Sequence, residues 1–112
     1  MTTAGSNEIE FYWRPGCGFC MSLDRQLQRH GIAVTKHNIW ENPSAAAHVR
    51  NVARGNETVP TVTIGPTSLV NPSIHEVASV LTSEAPHLLP EDYEAPEPGP
   101  VGRFVTRLLG GS

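Results

Sequence analysis

The sequence predicts one α/β domain whose elements run β-α-β-α-β-β-α around a single four-stranded mixed sheet flanked by helices. Three observations point there. Short runs rich in aromatic and β-branched residues alternate with segments of helical period. Capping and turn residues sit between those runs, where elements have to start and stop. The chain has 112 residues and is 38% apolar, the size of one compact domain.

The first strand is Ile9-Glu10-Phe11-Tyr12-Trp13, broken by Arg14-Pro15-Gly16. Phe11 and Trp13 read as core. From Cys17 the period changes: Cys20, Leu23 and Leu27 share one helical face, with Asp24, Arg25, Gln28 and Arg29 on the other. Gly31 stops that helix in the C′ position. Residues 32–39 read as a second strand. Asn42 and Pro43 form an N-cap and N1 pair that opens a second helix, ended by Gly55 and Asn56. A third strand is expected over Val59–Ile64, with Pro60 near its start, and a fourth over Ser68–Val70. Asn71-Pro72-Ser73 opens the last helix, where Ser73 and Glu76 have the spacing of a capping box. Its apolar stripe is Ile74, Val77, Ala78 and Leu81. The first βαβ unit should be parallel and right-handed, and the strands over 59–70 an antiparallel hairpin.

The domain is expected to occupy residues 1–85. Residues 86–100 hold five of the ten prolines and four acids, which reads as an extended, mobile linker. Residues 101–112 contain a short apolar stripe of helical spacing. A helix that short is marginal in water unless it docks.

Charge excludes whole classes of function. The net charge is −3, and residues 84–112 supply all of it, with five acids against Arg103 and Arg107. No basic stripe suited to nucleic acid is present. No apolar run approaches the roughly 18 residues of a membrane span, and the first eight residues lack the features of a secretory signal. The expected location is the cytoplasm. Arg50 and Arg54 read as a solvated helix face. His30, His37, His48, His75 and His87 read as surface residues with no paired metal-ligand spacing, so a four-ligand zinc site is not expected.

Cys17 and Cys20 are the only cysteines. A disulfide closing so small a ring stabilises by only about 2 kcal/mol before strain, so stability is not its purpose. Placed between a strand and a helix of a βαβ pattern, the pair reads as a redox motif. A thiolate is the nucleophile, and Cys17, at the helix start, meets unpaired N–H groups and the positive end of the dipole. A dipole contribution of about 1–2 kcal/mol is roughly one pKa unit, enough to move a thiol from about 8.5 toward neutrality. Arg14 is expected to add a nearby cation. Cys20, one turn inside, is the more buried, resolving thiol. Phe19, in the middle of the motif, is expected to be exposed.

Cys17-Gly18-Phe19-Cys20, Thr58-Val59-Pro60 before a strand, and Asn71-Pro72-Ser73 opening the last helix together resemble the glutaredoxin branch of the thioredoxin superfamily. The match looks closest to the mycoredoxins, and it covers about residues 8–84. It implies a thioredoxin-like fold and Cys17 as nucleophile. It further implies a cis Pro60 after Val59, whose backbone edge pairs with the bound thiol. Arg14 matches a basic position near the glutathione carboxylate. Thr58, Val59, Pro60, Phe19, Asn71 and Ser73 would line the thiol site. Two departures favour mycothiol over glutathione as co-substrate. Gly18 stands where ordinary glutaredoxins have proline, and Asn71-Pro72 replaces the Gly-Gly that helps hold the γ-glutamyl end.

The resemblance therefore implies a thiol–disulfide oxidoreductase that reduces mixed disulfides between proteins and a low-molecular-weight thiol. Its partners would be S-thiolated proteins, the small thiol and that thiol's NADPH-dependent disulfide reductase. It would have no bound cofactor and act as a monomer. The alternatives are a [2Fe-2S] cluster carrier and a dithiol protein-disulfide reductase fed by thioredoxin reductase.

Overall fold

The computed structural model describes residues 8–96. The strands are β1 (Ile9–Trp13), β2 (Thr35–Asn38), β3 (Thr61–Ile64) and β4 (Thr67–Val70). The helices are α1 (Gly18–Arg29), α2 (Pro43–Val52) and α3 (Ile74–Glu84), followed by a 3-10 turn at Pro86–Leu88. One sheet has the order β2-β1-β3-β4. β1 and β2 are parallel and β3 and β4 form an antiparallel hairpin, as expected, and the β1–β3 pair is antiparallel.

Alternation along β1 divides the core between the two faces of the sheet. Ile9 and Phe11, with Val62 and Ile64 of β3, pack against Leu23 and Leu27 of α1 and Ile74, Val77 and Leu81 of α3. Tyr12 points the other way, into a smaller cluster with Ile39 and Ala45, Ala46, Val49 and Ala53, mostly from α2. The helices α1 and α3 thus share the larger core, and α2 covers part of the opposite face.

Two strands are shorter than their apolar patterns suggest. At the end of α1, Gly31 adopts φ 71°. Gly31 N–H then bonds Gln28 O at 3.0 Å and Ile32 N–H bonds Leu27 O at 2.9 Å, the paired bonds of a Schellman motif. Ile32 is therefore buried as part of the helix stop, and the β2 ladder begins only at Thr35, opposite Glu10. Pro60 has no N–H to give, so β3 begins at Thr61.

The expected linker over 86–100 is different in its first part. Leu88, Leu89 and Tyr93 pack against the larger core, and Pro90 lies so close to Gly31 that a Cβ there would meet Pro90 Cγ at 3.4 Å. Burial of these apolar side chains outweighs the extended tendency of a proline-rich, acidic stretch. Residues 97–100 and the expected helix over 101–112 lie outside the described residues.

Candidate active site

Cys17 is the N-cap of α1, with an extended backbone at φ −95° and ψ 103°. Its Sγ accepts the Cys20 N–H at 3.1 Å, one of the donors that a helix start leaves unpaired. No acidic side chain lies in the first turn of α1. The positive end of the helix dipole is therefore left to the sulfur. Cys17 and Cys20 are joined as a disulfide with their Cα atoms 5.2 Å apart. Cys17 is 6% exposed and Cys20 2%. Both cysteines are buried in the larger core, Cys17 also capping the helix and Cys20 the deeper of the two.

The Val59–Pro60 peptide bond is cis. Val59 O lies 3.8 Å from Cys17 Sγ, so this loop faces the disulfide directly. Pro60 is fully buried, and the loop is tied on both sides. Thr61 Oγ1 donates to Thr58 O at 2.8 Å, and Asn71 N–H donates to Pro60 O at 2.7 Å. Asn71 takes the left-handed φ of 52° to turn the chain from β4 into α3. Ser73 then caps α3: its Oγ accepts from Glu76 N–H at 3.1 Å, and its own N–H donates to Glu76 Oε1 at 2.8 Å. The cis-proline loop thus faces the disulfide, and the Asn71–Ser73 turn is tied to that loop through Pro60 O.

Phe19, 73% exposed, Asn71 and Ser73 line one cleft of about 240 Å³ between α1 and α3, together with Ser22, Gln26 and His75. The last three have no recognisable sequence signal; α1 presents Ser22 and Gln26 to the cleft because they lie four residues apart, i and i+4. Arg14 sits elsewhere. Its Nη1 donates to Pro15 O at 3.1 Å, and its guanidinium lies 5.8 Å from the centroid of the exposed Trp40 ring. Both contacts hold it on the Trp40 side of the motif, and neither cysteine is among its partners.

His37 and His48 are not simple surface residues. Tyr12 is stacked with His37 and with His48, at centroid distances of 4.9 and 4.8 Å. His37 Nε2 meets Glu10 Oε1 at 2.5 Å, and His48 Nε2 meets Thr63 Oγ1 at 2.9 Å. Burial, then the Glu10 charge, push the Tyr12 phenol above its usual value. Arg50 pairs with Glu57 at 2.6 Å on an exposed helix face, as expected. Among the described residues no group of three or more His, Cys, Asp or Glu is placed to hold a metal ion, and no helix is long and apolar enough to cross a membrane.

The chemistry open to this arrangement is disulfide exchange, since a capped sulfur at a helix start can attack and a second sulfur within reach can close the ring. The chain is a thiol–disulfide oxidoreductase with a thioredoxin-like fold. Its residues 9–69 match the glutaredoxin family model. Two Mycobacterium tuberculosis proteins named as glutaredoxins, from strains CDC 1551 and H37Rv, are each 38% identical to it over 78 residues, spanning 69% of this chain and 93% of theirs. The chain belongs to the glutaredoxin family. Among solved structures, a mutant of the thioredoxin-like protein BC3987 shares the fold, with a TM-score of 0.61 and 21% identity over 69% of this chain and 97% of that one.

Proposed function

We propose that the protein reduces mixed disulfides between proteins and a small thiol, and that mycothiol, rather than glutathione, is that thiol. Cys17 attacks the sulfur of the small thiol, the protein cysteine leaves, and a second small thiol or Cys20 clears the adduct from Cys17. The backbone edge at Val59 pairs with the bound thiol, and Thr58 and Pro60 hold that edge in place.

The observation that carries the choice of thiol is the lining of the α1–α3 cleft. It offers hydroxyls, amides and one imidazole from Ser22, Gln26, Asn71, Ser73 and His75, and no lysine or arginine. Glutathione brings two carboxylates that require cations or well-aimed N–H groups. Mycothiol carries its cysteine on an uncharged polyhydroxylated sugar–cyclitol unit, which hydroxyls and amides can bind. Arg14, held over Trp40, is left for the rim of a protein substrate. The protein works in this reading as a cytoplasmic monomer without a bound cofactor, fed by the NADPH-dependent reductase of the small thiol's disulfide.

The test is NADPH consumption with a mycothiol-capped protein, mycothiol and its disulfide reductase, against a parallel run with glutathione and glutathione reductase. Turnover with mycothiol well above that with glutathione is expected. Equal turnover, or turnover with glutathione alone, refutes the assignment.

A further inference from the structure

On the other side of the motif, Cys20 shares a cleft of about 120 Å³ with Asp24, Lys36, Phe11, Trp13 and Met21. Asp24 follows Cys20 by four residues on α1, so the two stand on one face of the helix, and side chains in a helix lean back toward its start. The carboxylate is used unevenly. Its Oδ2 accepts from Lys36 Nζ at 2.9 Å and from Gln28 Nε2 at 3.1 Å. Its Oδ1 is sealed from solvent and has no hydrogen-bond partner among the described residues.

A buried carboxylate oxygen without a donor is costly to keep, the more so when charged. The cleft holds one S–H donor whose proton exists only in the dithiol form, that of Cys20. We propose that Asp24 is the proton acceptor for Cys20 in the resolving step, directly or through one water in the cleft. The step balances as follows. Cys20 sulfur attacks Cys17 in its mixed disulfide, the Cys17–S bond to the small thiol breaks, and the Cys17–Cys20 disulfide forms. The small thiol leaves as thiolate, and the Cys20 proton passes to the Asp24 carboxylate. In reverse, when the disulfide is reduced, Asp24 returns the proton to Cys20. Lys36 from β2 is the other charged group on the cleft; β1 contributes only Phe11 and Trp13.

This rests on Cys17 as the attacking thiol, which the same experiment tests separately. Reduced protein is mixed with one equivalent of the aromatic disulfide DTNB, and release of the coloured thiolate is followed by rapid mixing across neutral to alkaline pH. Cys17 attack gives a first phase and Cys20 resolution a second; Cys20→Ser gives the first alone. In Asp24→Asn, which keeps the size and the Oδ acceptor of the side chain, the first phase is expected to be unchanged, showing an intact site. The second should slow about ten- to hundredfold and rise steeply with pH, because only solvent base remains. Lys36→Met keeps the carboxylate and should resolve at least as fast as the parent. A second phase in Asp24→Asn with the parental rate and pH profile overturns the proposal. So does equal slowing of both phases, or slowing in Lys36→Met equal to that in Asp24→Asn. Loss of the first phase in the parent protein would instead refute Cys17 as nucleophile.

Discussion

Ser73 does two jobs that substitutions can separate. Its Oγ accepts the Glu76 N–H at 3.1 Å, and it lines the α1–α3 cleft. Ser73→Ala removes the first half of the capping box, at a typical cost of about 1 kcal/mol. The reciprocal bond from the residue-73 N–H to Glu76 Oε1, 2.8 Å, uses backbone and survives. A loss of about 1 kcal/mol lowers the melting temperature of a domain this size by about 4–8 °C. Ser73→Asp restores an equally good cap, one favoured by the helix dipole, and should keep the parental melting temperature to within a few degrees. It also places a negative charge in the cleft. Repulsion of a ligand carboxylate about 6 Å away at an effective dielectric near 40 is about 1.4 kcal/mol, roughly tenfold in KM. Turnover of a glutathione-capped protein should therefore suffer in Ser73→Asp, while a mycothiol-capped protein is nearly unaffected. Thermal unfolding by circular dichroism and steady-state kinetics with both substrates give the two readouts. If Ser73→Asp melts as low as Ser73→Ala, the capping reasoning fails. If it changes KM equally for both thiols, the assignment of this cleft to the small thiol fails.

Further expectations follow from the fold. Tyr93→Ala should cost about 1–2 kcal/mol in urea unfolding, because a half-buried ring leaves the larger core; an unchanged midpoint would show that residues 86–96 are not integral to the domain. The Tyr12 phenol titrates above its usual 10.0 in the folded state. Its contribution is constant below that value and is lost as pH rises, because the unfolded chain ionises first. Urea midpoints should therefore fall more steeply for the parent than for Tyr12→Phe once the pH rises above about 9; parallel curves would contradict this. Cys17→Ser should abolish turnover with every disulfide substrate, and appreciable residual activity would remove Cys17 from its assigned role.

Local signals in the sequence located what local chemistry determines. Gly31 as helix stop, Asn42 and Ser73 as caps, and the stripes of α1 and α3 all stand in the structure as the spacing implied, because each depends on residues within one turn. The inward position of Cys20 came from the same periodicity, and the exposed position of Phe19 from its place in the middle of the motif. What escaped depends on register between distant elements. Nothing local says that β1–β2 pairing sets His37 beside Tyr12 while α2 brings His48 to the same ring. Nothing local joins Asp24 of α1 to Lys36 of β2. Leu88, Leu89 and Tyr93 sit in a stretch whose composition resembles a linker, and only the exposed core edge at α1 and α3 makes their burial worthwhile. The Trp40 ring likewise holds Arg14 in a place that no spacing rule foretells.

The most direct test of the central claim, that Cys17 takes the small thiol and frees the protein cysteine, is intact-mass analysis of Cys20→Ser. The variant is reduced, mixed with a mycothiol-capped protein in the absence of free mycothiol, and quenched with acid. The expected result is one mycothiol mass on Cys17 and an equal amount of uncapped substrate. A protein–protein adduct through Cys17, or no adduct at all, would contradict it.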